Sequence, residues 1–132
     1  MGGGENEFKI SSMVKLLKSF KYATSGLKFC FKTQQNFRIH LLAASIAVVA
    51  GVCLHINLLQ WTALTICISM VLVTELMNTA VEKICDHINP FYHPQIKTIK
   101  DMAAGAVLVI AIMSLVMGLL IFIPAILNSI NS

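Results

Sequence analysis

At 132 residues, 57% of them hydrophobic and only 12% charged, the chain carries about half the charge of a soluble domain and reads as an integral membrane protein. This length is expected to hold one domain with no separate soluble catalytic module, so any active site is to be built from membrane helices and their flanks. The net charge of +4 does not point to nucleic acid, because the lysines flank apolar spans and no aromatic-basic module that would stack bases is present.

The first residues, 1–11, are Gly-rich and polar and read as a disordered leader. From about 12 to 33 the pattern becomes helical, with Val14, Leu17, Phe20, Leu27 and Phe31 interleaved with Lys15, Lys18, Lys28 and Lys32. That is the signature of an amphipathic helix on a membrane surface, apolar side in the lipid and lysines toward anionic headgroups. Ser11 or Ser12 is placed to cap it. After a polar junction at Gln34–His40, a first span is expected over about 39–58, just long enough at ~1.5 Å per residue to cross. His55 to Gln60 reads as an exit turn, and Trp61 as an interfacial residue that begins a second span over about 60–86. Asn89 to Pro94 breaks the helix, and a third span is expected over about 96–127, with Ala103, Ala104, Gly105 and Ala106 forming a small-residue face.

All ten basic residues fall in two blocks, Lys9 to Arg38 and Lys83 to Lys100, which by the positive-inside tendency are both cytoplasmic. Three spans then leave the N-terminus inside and the C-terminus outside. The four cysteines, Cys30, Cys53, Cys67 and Cys85, are isolated and read as buried small apolar residues. His40, His55 and His87 are read as interfacial, and the methionines as lipid-facing or core filler.

The second span carries the chemistry. Glu75, Asn78, Glu82 and Asp86 are spaced +3, +4 and +4, which at ~100° per residue places them within an arc of roughly 80° on one helix face. Each carboxylate near a membrane centre costs ~2.5–3.5 kcal/mol, while each Leu, Ile or Val returns only ~0.3–0.6 kcal/mol. Two glutamates in this span therefore mark a functional site before they mark helix packing. Lys97, Lys100 and Asp101 return to the same depth from across the proline-bounded loop, and carboxylates with a nearby lysine can hold a divalent cation and a polyphosphate. That set suits phosphoryl transfer to a hydroxyl presented from the bilayer. A small transporter or channel subunit, with Glu75 and Glu82 as an ion or proton relay, is the alternative; it leaves the Lys100 and Asp101 pair and the surface helix unexplained.

The run from Glu75 to Asp86, followed by Tyr92, His93 and Pro94 and then by Lys100 to Ala106, resembles the prokaryotic diacylglycerol kinase family, which includes the undecaprenol kinases. Ser19 to Tyr22, Gly26 and Asn36 to His40 also match, so the resemblance covers nearly the whole chain. It implies a homotrimer in the bacterial cytoplasmic membrane, each chain with a surface helix and three transmembrane helices, with active sites shared between subunits. The reaction implied is transfer of phosphate from ATP, with Mg2+, to a membrane lipid hydroxyl, either undecaprenol or diacylglycerol. Matched position by position, Glu75 corresponds to the general base, Glu82 to a magnesium ligand and Asn78 to the phosphate and metal site. Lys100 corresponds to the phosphate-binding lysine, with Asp101, Tyr22, Tyr92 and His93 around the nucleotide. One position departs from the pattern: three residues before the Phe37–Arg38 pair the family usually carries a metal-binding glutamate, and here Gln34 stands there. An amide oxygen ligates magnesium without contributing charge.

Overall fold

The computed structural model describes residues 3–131, with side chains described from Met13 onward. Within that range the chain is all helical: α1 (Gly3–Thr33), α2 (Gln35–Cys53), α3 (Leu58–Ile88) and α4 (Pro94–Ile130). The last three are long and apolar enough to cross a membrane. The chain divides into two compact units, one up to Gln34 and one from Gln35 onward.

In the first unit, residues 1 and 2 of the expected leader lie outside the described residues. From Gly3 the leader is helical, continuous with the segment read as starting at Ser12, so Ser11 and Ser12 lie within α1 and do not cap it. Ser19, Thr24, Ser25 and Thr33 each donate a side-chain hydrogen bond to the carbonyl four residues back, which lets polar side chains sit in the helix without leaving an unpaired hydroxyl. By the helical period, Met13, Leu16, Leu17, Phe20, Leu27 and Phe31 fall within an arc of roughly 100°, with Lys28 and Lys21 close to its edge. Those six apolar side chains are all exposed in the chain.

In the second unit α3 packs along α4 and, less extensively, along α2. The turn between α2 and α3 falls earlier than the sequence reading placed it: α2 stops at Cys53, and Asn57 and Gln60, read as part of an exit turn, form the N-terminal cap of α3. The Asn57 side chain accepts from the Gln60 N–H at 3.0 Å, and the Gln60 side chain accepts from the Asn57 N–H at 2.9 Å. This reciprocal box satisfies two backbone donors that would otherwise be orphaned at a helix start. His55 completes the turn with a left-handed backbone (φ 49°). Above the turn, Ile56, Leu64 and Ile121 form a buried cluster flanked by Trp61, Phe122 and Ala125.

At the opposite end, Asn89 closes α3, its N–H bonding the Cys85 carbonyl at 3.0 Å, and its side chain accepts from the Phe91 N–H. Pro94 opens α4, where a missing N–H is harmless. α4 runs through Pro124 to Ile130, beyond the expected end near 127. Of the cysteines, Cys30 and Cys85 are buried as expected, whereas Cys53 is exposed.

α3 has 31 residues, about 46 Å at ~1.5 Å per residue, against a hydrocarbon core of about 30 Å. The helix is therefore longer than a span requires, and Glu75, Glu82 and Asp86 all lie in its C-terminal half.

The α2–α3 corner depends on Gly51, which is buried. A Cβ there would sit 3.0 Å from Ile56 Cδ1 and 3.0 Å from Cη2 of Trp61. Gly51→Leu is expected to displace the Trp61 ring and destabilise the chain by ~1–3 kcal/mol, the usual range for overpacking. Thermal unfolding in detergent, with loss of Trp61 fluorescence as the readout, measures it; an unchanged melting temperature would show that the corner has slack.

Candidate active site

The polar stripe forms as its spacing requires, all of it on α3. Its deeper part is enclosed: Glu75 is 2% exposed, Asn78 7% and Thr79 3%. Thr79 resolves its own burial by donating to the Glu75 carbonyl at 3.0 Å. Asn78 donates from Nδ2 to Glu82 Oε1 at 3.2 Å, one turn further along. Two oxygens are left over: Glu75 Oε2 and Asn78 Oδ1 are buried and have no hydrogen-bond partner. An unpaired buried polar atom costs ~1–3 kcal/mol, so these two oxygens, one of them belonging to the Glu75 carboxylate, are the places on the stripe open to a hydrogen-bond donor.

The α4 half of the site closes on Asp86. Lys100 Nζ donates to Asp86 Oδ1 at 2.6 Å, across the loop and 14 residues apart. Lys97 pairs with Asp101 along α4 at 2.5 Å. The sequence reading left the role of Asp86 open and weighed Lys100 and Asp101 as partners; in the structure they belong to different pairs. Asp86 ties the phosphate-binding candidate to the stripe. Both pairs are largely exposed, so they add little stability and their lysines stay available to an anionic ligand.

In the antiparallel register that this pair reports, Glu75 lies about level with Ala111, and Leu64 about level with Phe122, in agreement with the cluster at the far end. Tyr92 and His93 are exposed on the connection, where the His93 carbonyl accepts from the Lys97 N–H. Tyr22, 70% exposed, and Gln34, whose N–H bonds the Cys30 carbonyl at 2.8 Å, belong to the first unit.

Two further polar groups lie near the stripe. His40, read as interfacial, is half-buried on α2 and interacts electrostatically with Glu75, as does Glu82. It also lines, with Val71, Leu72, Ala111 and Ser114, a cavity of about 440 Å³ between α2, α3 and α4. Ser114, on α4, is the third buried polar group without a partner. Only the packing of three helices reveals either residue, since each is a lone polar group in an apolar run.

Among the described residues no three His, Cys, Asp or Glu side chains converge as a ready metal cluster within one chain. The donors that are present, a Glu82 carboxylate and the free Asn78 amide oxygen, are hard oxygen ligands of the kind magnesium prefers, and magnesium commonly takes only one or two protein carboxylates. The residues fit that ion as a partial shell.

The chain matches the family model of the prokaryotic diacylglycerol kinases over residues 21–122. It belongs to that family. It is 37% identical over 110 residues to the undecaprenol kinase of Bacillus subtilis (strain 168), covering 83% of this chain and 89% of that one. It is 38% identical over 114 residues to a diacylglycerol kinase of Synechocystis, covering 86% of this chain but 65% of that longer one. The diacylglycerol kinase of Escherichia coli (strain K12) is 26% identical over 106 residues, 80% of this chain and 87% of that one. Membership places the chain among the lipid kinases.

If the carboxylate of Glu75 is retained for chemistry, removing it should help the fold. Glu75→Met, similar in length and apolar, is expected to raise stability by ~1–3 kcal/mol, the penalty of an unpaired buried group. Chemical or thermal unfolding in detergent tests this, and a destabilised variant would show that Glu75 serves packing.

Proposed function

We propose that the chain is an ATP- and Mg2+-dependent lipid kinase that phosphorylates the free hydroxyl of a membrane lipid, undecaprenol or diacylglycerol, at the cytoplasmic face. The observation that carries this is Glu75: a buried carboxylate with an unpaired oxygen, on a helix long and apolar enough to cross a membrane, in a family of lipid kinases. Family membership favours this reading over the ion relay.

In the proposed reaction the acceptor hydroxyl donates to Glu75 Oε2. As the acceptor oxygen attacks the γ-phosphorus, the bond from phosphorus to the oxygen bridging to ADP breaks, and the hydroxyl proton passes to the Glu75 carboxylate. The products are the lipid phosphate and ADP, and Glu75 returns its proton to water. Lys100 binds phosphate oxygens, exchanging Asp86 for the nucleotide, with Asp101, Tyr92 and His93 around the rest of it. Asn78 and Glu82 would hold magnesium, and the ion when bound would neutralise charge on the phosphate oxygens. The family resemblance assigns Tyr22 to the nucleotide and Gln34 to the metal by sequence position. Asn78, through its bond to Glu82, keeps that carboxylate oriented.

A further feature supports an assembly. Among the described residues, one chain supplies only part of a metal shell. A homotrimer with active sites shared between subunits accounts for that. In this reading the α1 side chains Leu16, Leu17, Phe20 and Phe31 enter the cytoplasmic membrane surface with the lysines toward headgroups, and the lysine distribution supports an N-terminus inside.

Glu75→Gln is expected to abolish transfer from labelled ATP to either lipid in detergent, a loss of at least ~100-fold for a missing general base, while the protein remains folded. Wild-type turnover in that variant would remove Glu75 from the reaction. Restoring charge by Gln34→Glu should lower the magnesium concentration needed for half-maximal rate; an unaltered magnesium titration would show that position 34 contributes no ligand.

A further inference from the structure

In the proposed reaction Lys100 leaves Asp86 for phosphate, and the freed carboxylate is given no part. Asp86 lies one turn beyond Glu82 on the same face of α3, and residues four apart on a helix have Cβ atoms ~5–6 Å apart. Two carboxylates at that spacing can meet on one divalent ion, whose oxygen ligands stand about 2.1 Å away in the case of magnesium. Few other acids are at hand. Of the six in the chain, Glu5 and Glu7 lie near its start, Glu75 is enclosed and Asp101 is paired with Lys97. Asp86 is the acid left beside Glu82.

A cation already sits against this pair. Lys100 Nζ donates to Asp86 Oδ1 at 2.6 Å and also interacts electrostatically with Glu82. Its single positive charge faces two carboxylates, a balance that a divalent ion would complete. The other side of Glu82 is built for a ligand too. Asn78 donates to Glu82 Oε1, is 7% exposed, and keeps its own Oδ1 buried with no partner, a hard oxygen beside the carboxylate. The Lys100 and Asp86 side chains are 35% and 53% exposed, so water can cover either one when they separate. Lys97, by holding Asp101, keeps the neighbouring acid from replacing Asp86 on Lys100.

Resting on the lipid kinase reading above, we infer that Asp86 has two stations: it holds Lys100 until the phosphate of the nucleotide draws that lysine away, and it then joins Glu82 as a second carboxylate for the divalent cation. No proton moves in the exchange, because Lys100 stays an ammonium and Asp86 a carboxylate at both stations. Nucleotide and metal are thereby coupled through the protein, beyond the ion that the nucleotide itself carries. An ion is held weakly by Glu82 while Lys100 rests on Asp86, and firmly once Lys100 has gone to phosphate. Asp86 is thus a positioning residue for Lys100 and a ligand that the same lysine withholds.

Manganese takes the same oxygen ligands as magnesium, and the electron paramagnetic resonance signal of free Mn2+ reads its binding without nucleotide or turnover. In purified full-length protein, Lys100→Met leaves Asp86 free for the metal. The gain in Mn2+ affinity from that substitution is expected to be about tenfold larger with Asp86 present than in an Asp86→Asn background. Equal gains in the two backgrounds would mean that removing a repelling charge is the whole effect, and would overturn the exchange, as would no gain at all. Trp61 fluorescence reports the fold of each variant, and Lys100→Gln gives the same comparison if Lys100→Met unfolds. In lipid phosphorylation, Asp86→Asn should raise the Mg2+ concentration for half-maximal rate about tenfold, and Asp86→Glu should recover most of it. An unchanged magnesium titration in Asp86→Asn would remove Asp86 from the metal. Mn2+ binding that follows the exchange, without any transfer to lipid, would support the two stations and remove the kinase reading instead.

Discussion

The arrangement depends on one costly act, the burial of the Glu75 carboxylate on a membrane helix with an oxygen left unpaired. A lone acid in an apolar span would normally be selected away or paired, since two such residues offset most of the insertion free energy that the neighbouring Leu, Ile and Val supply. Here the surroundings divide the burden. Thr79 satisfies itself on the Glu75 carbonyl, Asn78 spends its amide on Glu82, and His40 supplies an electrostatic neighbour from α2. What remains unsatisfied is a pair of oxygens, Glu75 Oε2 and Asn78 Oδ1, within a single turn of each other.

Depth organises everything else. The capping box at Asn57 fixes where α3 starts, and its 31 residues exceed what the hydrocarbon core needs. Along that face the stripe passes from an enclosed Glu75 to a half-buried Glu82 and an exposed Asp86. One periodic stripe thereby acquires a buried end and an open end. The Asp86–Lys100 pair joins α3 and α4 at one end, and the cluster of Ile56, Leu64 and Ile121 packs them together at the other.

Much of the candidate site could be read directly from residue spacing, because a helix converts spacing into a face without any tertiary help. Glu75, Asn78 and Glu82 were legible on that ground, and so were the three spans and the breaker from Asn89 to Pro94. Boundaries were less so. The sequence reading placed Asn57 and Gln60 in a turn because polar residues between apolar runs look like one, yet their side chains bond each other's backbone and start a helix. Similarly, Gly-rich polar residues looked like a leader, but from Gly3 the backbone is helical.

Sequence alone determined which residue types must be explained, since the energetic penalty of a carboxylate in an apolar span is local and independent of what packs against it. Tertiary structure decided partnership. Lys100 could have paired with its neighbour Asp101, and only the antiparallel meeting of α3 and α4 gives it Asp86. His40 and Ser114 are single polar groups in apolar helices, with no period and no motif to mark them. They gain meaning because three helices enclose a space beneath Glu75, and enclosure is a property of packing that no one-dimensional pattern contains.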